Sequence, residues 1–102
     1  MIKDSRIFNY KQYSNCFLMW GEYEAGGRTS LQIFDIEGPI TNITINLPEQ
    51  PLNNNEIFVK SYSENEGMID FLVKEGFVED TGQRVQTGYV EAVVAKLLIQ
   101  LQ

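Results

Sequence analysis

The residues of this chain that could do chemistry are mostly carboxylates, because histidine is absent from all 102 positions. Histidine is the commonest general base and metal ligand, and the single Cys16 can form neither a zinc site nor an internal disulfide. Paired carboxylates can hydrolyse glycosides, and Glu22 with Glu24 or Glu79 with Asp80 are the candidate pairs. Adjacent acids are usually only solvated. We therefore predict no enzyme, and no catalytic, cofactor-binding or metal-binding residue.

One short stretch, residues 63–80, carries most of the charge of the chain. It reads SENEGMIDFLVKEGFVED, and its six carboxylates and single lysine give it a net charge of −5, against −6 for the whole chain. Glu64 and Glu66 fit the first turn of a helix, where the helix dipole favours anions, and Asp70 lies four residues before Lys74. The last three carboxylates follow the predicted end of that helix, where the dipole disfavours them.

This surplus of acid predicts a protein partner. An acidic surface attracts a basic one in a salt-dependent way, and it could occupy the nucleic-acid-binding groove of a nuclease in place of phosphates. Asn65, Tyr62 and Phe77 are predicted to add contact area, the two aromatic rings as exposed anchors. The predicted partner-binding residues are Glu64, Glu66, Asp70, Glu75, Glu79, Asp80, Tyr62 and Phe77. A sequence pI near 4.5 disfavours direct contact with nucleic acid or anionic membranes.

Strands are predicted over most of the first 62 residues. Runs of alternating, aromatic and β-branched residues are separated by turns, and Gly26 and Gly27 supply the positive φ angles of a tight hairpin. Cys16 lies in the apolar run CFLMW and is expected to be buried. The stretch LPEQPLNNNE has two prolines and three asparagines, which predict a surface loop rather than a linker.

The helix that positions the carboxylates is predicted over about residues 63–76. Ser63 and Glu66 have the spacing of a capping box. Gly76 is placed for a left-handed C-terminal cap, after which Phe77 can pack back on the last turn. The apolar stripe of this helix consists of Met68, Ile69, Leu72 and Val73. Residues 91–101 fit either a second helical stripe or a continued strand.

Strands followed by one amphipathic helix are typical of the α+β class. We predict a single domain, 1–102, with an antiparallel β-sheet meander and the helix packed on it. The length suits one modest core, and no apolar run approaches the roughly 20 residues that span a bilayer. The first ten residues, MIKDSRIFNY, lack the apolar region of a secretory signal, so a cytoplasmic location is expected.

The text that begins at Val59, VKSYSENEGMIDFLVKEGFVEDTGQRVQTGYVEAVVAKL, and the NLPEQPL before it resemble a protein family. The family consists of small uncharacterised proteins on plasmids, conjugative elements and prophages of low-GC and gut bacteria. YSENEG and GFVEDTG recur in that order in its members, whereas the first thirty residues match poorly. The resemblance implies an extended C-terminal segment, and it implies a genetic context rather than an activity.

Small acidic proteins of mobile elements are often inhibitors of host defence, including anti-CRISPR and antirestriction proteins. The resemblance and the acidic stretch together predict a non-catalytic protein-binding module that inhibits a host defence nuclease, a basic host protein. The alternative is a structural or accessory protein of a conjugative element or phage. It would act through the sheet face around Phe17, Met19 and Tyr23, and it leaves a homodimer open.

Overall fold

The computed structural model describes residues 6–100, which form two antiparallel sheets and one α-helix. The first sheet has the order β1-β2-β3-β4, with β1 (Phe8–Tyr10), β2 (Tyr13–Glu22), β3 (Thr29–Asp35) and β4 (Gly38–Asn42). The second has the order β5-β7-β6, with β5 (Glu56–Val59), β6 (Val78–Thr87) and β7 (Val90–Leu97). A 3₁₀ turn (Ser63–Asn65) and the helix α1 (Met68–Lys74) lie between β5 and β6.

The predicted α+β class is confirmed, and its strands are divided between two sheets that one short segment joins. The N–H of Ile43 donates to the carbonyl oxygen of Leu31 in β3, at 2.8 Å. The carbonyl oxygen of Ile43 in turn accepts from the N–H of Lys60, at 2.7 Å. Residues 43–45 therefore bridge the two sheets, which places β5 and the chain that follows it beside β4.

The main hydrophobic cluster takes side chains from both sheets and from α1. Alternation along the strands sends every second residue inward, and the fully buried members include Cys16, Leu31, Ile33, Ile57, Val59, Met68 and Leu72. The predicted burial of Cys16 is confirmed, and desolvation raises the pKa of its thiol. A smaller cluster around Phe58 and Val94 is covered by the predicted loop, through Leu47 and Leu52.

The hairpin between β2 and β3 forms at the predicted glycines. Gly26 and Gly27 have φ angles of +91° and +67°. Two backbone hydrogen bonds close the turn, from the N–H of Tyr23 to the Arg28 carbonyl oxygen at 2.7 Å and from the N–H of Gly27 to the Tyr23 carbonyl oxygen at 3.0 Å. The glycines are required because other residues rarely adopt these angles.

The α-helix begins at Met68, five residues after the predicted start. Ser63 and Gly67 both have positive φ angles, +55° and +84°, and these interrupt the helical path. The predicted capping box between Ser63 and Glu66 is wrong, because the residues at the N-cap positions of the two helical turns are Tyr62 and Gly67, and neither forms a side-chain capping hydrogen bond. The hydroxyl of Ser61 instead accepts a hydrogen bond from the N–H of Ile69, at 3.1 Å.

The C-terminal end of the helix follows the prediction. Gly76 has a φ angle of +79°, and the N–H of Phe77 donates to the carbonyl oxygen of Leu72 at 2.9 Å. These features are those of a left-handed glycine cap, which turns the chain out of the helix and into β6.

The ambiguous C-terminal stretch is a strand through Leu97. β7 lies in the centre of its sheet and pairs with both β5 and β6. Residues 92–95 are buried on both faces, which gives an apolar run instead of an alternating pattern and explains why periodicity alone left a helix open. Leu101, which also belonged to the predicted helical stripe, lies outside the described residues.

Candidate protein-binding site

The carboxylates predicted to bind a partner lie along three consecutive elements, the 3₁₀ turn, α1 and the start of β6. Glu64 is in the turn, Asp70 is in the helix, and Glu79 and Asp80 are in the strand, while Glu66 and Glu75 flank the helix. Five of the six are exposed and Glu75 is half-buried. The fold therefore presents most of the predicted acidic groups to solvent.

Glu64 is engaged by two lysines that lie outside the acidic stretch. The ammonium group of Lys60 lies 2.6 Å from Glu64 Oε2 in an ion pair. Lys11 Nζ, at the turn between β1 and β2, donates to the Glu64 carbonyl oxygen at 2.9 Å. The hydrogen bond from Lys60 lowers the pKa of the Glu64 carboxyl. Glu64 is consequently less available to a basic partner than its exposure alone would indicate.

Asp80 is held by a fork of two hydrogen bonds. The guanidinium of Arg84 donates from both terminal nitrogens to the two carboxylate oxygens of Asp80, each at 3.0 Å. The N–H of Gly82 donates to Asp80 Oδ1 at 2.8 Å. A shift of register between Asp80 and Arg84 in the pairing of β6 with β7 accompanies this arrangement. The hydrogen bonds from Arg84, followed by that from Gly82, lower the pKa of the Asp80 carboxyl.

Replacing Asp80 by asparagine is expected to make the free energy of unfolding fall less steeply as the pH is lowered into the acid range. Because the folded pKa of Asp80 lies below its unfolded value of about 4, the contribution of Asp80 to stability is complete above that value. The contribution is lost as the pH falls through the folded pKa. Since the pair is surface-exposed, we expect a loss of no more than about 1 kcal/mol at pH 7. Urea unfolding of the wild type and Asp80→Asn between neutral and acid pH measures both effects.

The wild type should lose stability more steeply than Asp80→Asn as the pH falls, so that the two curves converge in acid. Glu49→Gln is a suitable control, since Glu49 is also exposed and forms no ion pair within residues 6–100. Parallel curves for the wild type and Asp80→Asn would contradict the assigned ion pair.

Arg6, near the N-terminus, contacts the acidic stretch where the helix ends. Arg6 donates to the carbonyl oxygen of Glu75 at 2.7 Å, and its guanidinium lies 4.2 Å from the centroid of the Phe77 ring. The stretch itself has a net charge of −5. Four cations from outside the stretch contact it and reduce the local net charge to −1; they are Arg6, Lys11, Lys60 and Arg84. The surplus of acid on this surface is therefore much smaller in the fold than in the sequence.

The carboxylates that remain without an ion pair define the part of the stretch best able to meet a partner. Among residues 6–100, ion pairs in this stretch involve only Glu64 and Asp80. The remaining carboxylates, which we call the helix-side acids, are Glu66, Asp70, Glu75 and Glu79.

Two of the residues predicted to add contact area are buried instead. Phe77 has 1 % of its surface exposed, so its prediction as an exposed anchor is wrong. Its ring packs edge-on against that of Phe8 in β1, with 5.3 Å between the ring centroids. No local sequence pattern predicts this contact. Asn65 is fully buried and bonds to β4, accepting from Thr41 Oγ1 and donating to the Asn42 carbonyl oxygen, each at 2.6 Å.

Tyr62 is half-buried and lines an open groove beside the helix. The groove has a volume of about 600 Å³ and lies between Tyr62, Ile69 of α1 and the hairpin of β6 and β7. Tyr89, at the tip of that hairpin, is fully exposed and also lines the groove. Tyr89 was not among the predicted contact residues, although a large aromatic residue directly after Gly88 in a tight turn is a signal of exposure.

The candidate catalytic pairs are not brought together into an enclosed site. Glu79 and Asp80 are neighbours in β6 and point to opposite faces of the sheet, as successive strand residues do. Glu22 lines a separate cleft, to which Glu24 does not contribute. Within residues 6–100, no cluster of three or more acidic or cysteine side chains is arranged to hold a metal ion.

Comparisons of the chain with models of protein families, with curated proteins and with solved structures find no match. The resemblance to proteins of mobile elements therefore stays a prediction. Over the part of the chain that the structure describes, neither helix has the length and apolar character that crossing a membrane requires.

Proposed function

We propose that this chain is a non-catalytic protein-binding module of a mobile genetic element that inhibits a host defence nuclease in the cytoplasm. It binds a basic surface of that nuclease through the helix-side acids, with Tyr62 as an aromatic contact. The observation that carries the proposal is the set of four carboxylates that lack an ion pair within residues 6–100. One of them, Asp70, follows Ile69, which lines a groove with Tyr62 and Tyr89.

Charge and shape both favour this face as a binding surface. Exposed carboxylates steer a basic partner and fix its orientation, whereas aromatic side chains in a groove supply most of the binding energy. Asp70 directly follows Ile69, which lines the groove, so one carboxylate and one apolar side chain of the groove are sequence neighbours in α1. The groove in which a nuclease binds nucleic-acid phosphates is basic, so its charge is complementary to that of these carboxylates.

Reversing three helix-side acids is expected to abolish inhibition while the fold survives. The variant carries Glu66→Lys, Asp70→Lys and Glu75→Lys. The helix dipole favours lysine at position 75 and disfavours the other two by about 0.3–1 kcal/mol each, a cost that leaves the fold intact. Like charges facing each other across an interface cost several kcal/mol, so protection should fall more than about a hundredfold. The measurement is phage plating on strains that each carry one nuclease-based defence and express the protein.

The matched control carries Glu24→Lys, Glu37→Lys and Glu49→Lys, three exposed carboxylates outside the acidic stretch. Both triple variants change the net charge from −6 to 0, so a general effect of charge would act on both. We expect the control to protect as well as the wild type. Full protection by the helix-side variant, with circular dichroism like that of the wild type, would refute the proposed face.

A second candidate is the structural or accessory role, acting through the outer face of the first sheet. Met19 is 44 % exposed on that face, and Phe17 lies beside it against Phe34, at 6.2 Å between ring centroids. Tyr23 contributes less than predicted, because its hydroxyl is within 2.8 Å of the buried Thr44 hydroxyl. Self-association that Met19→Lys abolishes and the helix-side variant leaves unchanged would favour this role.

A further inference from the structure

A cleft of about 620 Å³ opens at the end of the core that is formed by β2 and β3. Side chains at every second position of β2 face the core. Cys16 and Leu18 on this face are buried, Trp20 is partly buried against the core cluster, and Glu22 at the end of the strand is exposed. The cleft is thus the open continuation of the core, with Glu22 at its rim.

The opposite wall is formed by the chain that follows β7. Leu97 and Ile99 line the cleft and pack against the core cluster, and Leu98 beside them is 53 % exposed. Asn55, before β5, lies close to them because its carbonyl oxygen accepts from the N–H of Leu97 at 2.7 Å. The lining thus combines apolar side chains with the polar Thr29, Asn55 and Gln100, and no lysine or arginine of residues 6–100 contributes to it.

The two carboxylates at this cleft differ in how they are satisfied. Glu56 accepts hydrogen bonds from Asn53, at 2.8 Å from the backbone N–H and 3.5 Å from Nδ2. The carboxylate of Glu22 has neither a hydrogen bond nor an ion pair to any residue of the described range 6–100. A carboxylate without a hydrogen bond or ion pair to residues 6–100 thus stands at the rim of a cleft that contains an indole ring, aliphatic side chains and a few polar groups.

We propose that this cleft binds an arginine side chain of a protein partner. The guanidinium pairs with Glu22 and stacks on the face of Trp20, while the aliphatic stem lies along Leu97 and Ile99. Arginine fits better than lysine because its planar group forms bidentate bonds with carboxylates and stacks on aromatic rings. The site goes beyond the helix-side proposal, since it uses none of the same residues and its occupancy does not depend on them.

Trp20 is the only tryptophan of the chain, so its fluorescence reports on this cleft alone. The probe is an acetylated, amidated tetra-arginine peptide, and the matching tetra-citrulline peptide is the neutral control. We expect a saturable change in emission with tetra-arginine and none with tetra-citrulline. Glu22→Gln should weaken binding roughly tenfold, as expected for one charge-assisted contact. Glu24→Gln, an exposed position of the same hairpin that does not line the cleft, should bind like the wild type.

The proposal is overturned if Trp20 emission shows no saturable change, or if Glu22→Gln binds as tightly as the wild type. It is also overturned if amide NMR shifts caused by tetra-arginine map to residues 63–80 rather than to β2 and residues 97–100. That last result would leave the helix-side proposal standing. Conversely, saturable binding at the cleft together with full phage protection by the helix-side variant would support the cleft and refute the helix-side face.

Discussion

Phe77→Ala is expected to lower the free energy of unfolding by about 3–5 kcal/mol, as truncation of a buried phenylalanine usually does. The ring is 1 % exposed and packs against Phe8, and Arg6 covers its face. Phe77 also follows the glycine cap, so it ties the end of α1 and the start of β6 to the edge strand β1. Urea unfolding followed by circular dichroism measures the loss.

A small domain has only about 5–15 kcal/mol of stability, so Phe77→Ala could fail to fold. Phe77→Leu is the second variant for that outcome. It removes fewer atoms and should lower the free energy of unfolding by about 1–2 kcal/mol. Tyr89→Ala is the control, since this ring is fully exposed, and a change within about 0.5 kcal/mol is expected. A loss below about 1 kcal/mol for Phe77→Ala would mean that the ring is not part of the core.

Asn65→Ala is expected to lower the free energy of unfolding by about 2–3 kcal/mol. The side chain is fully buried, and its removal leaves the Thr41 hydroxyl and the Asn42 carbonyl oxygen without their partner. Each buried polar group left unsatisfied costs about 1–3 kcal/mol. Since these bonds join the 3₁₀ turn to β4, the same substitution should increase hydrogen exchange in residues 63–67 first.

A double-mutant cycle with Thr41→Val separates the hydrogen bond from the loss of volume. We expect a coupling energy of about 0.5–3 kcal/mol between the two positions, as for residues in direct contact. Asn54→Ala is the control, because Asn54 is exposed in the loop before β5. Additive effects of Asn65→Ala and Thr41→Val would contradict the assigned network.

Local signals in the sequence predicted the local structure correctly. Gly26 and Gly27 marked the hairpin, Gly76 marked the end of the helix, and Cys16 was buried within its apolar run. Each of these features depends on neighbours within a few positions, which periodicity and turn chemistry describe. The start of the helix was less predictable, because Ser61 replaces the predicted capping residue from outside the helix.

The charge of the surface was harder to predict, because two of the four cations that reach the acidic stretch come from distant positions, whereas Lys60 and Arg84 lie only four residues from their partners. Lys11 is 53 positions from Glu64, and Arg6 is 69 positions from Glu75. No local pattern places these cations against the acidic stretch. The same reason applies to Phe77, whose burial requires Phe8. A count of charges along the sequence therefore overestimated the acidity of this face.

The most direct test of the central claim is a pull-down from a host lysate with the tagged protein and both triple variants. Binding is measured by mass spectrometry at about 0.05 M and 0.5 M salt, where screening of exposed charges differs strongly. We predict that the wild type and the control variant capture the same basic nuclease at low salt and lose it at high salt, and that the helix-side variant captures none. Capture of that nuclease by the helix-side variant at wild-type levels would contradict the proposed function.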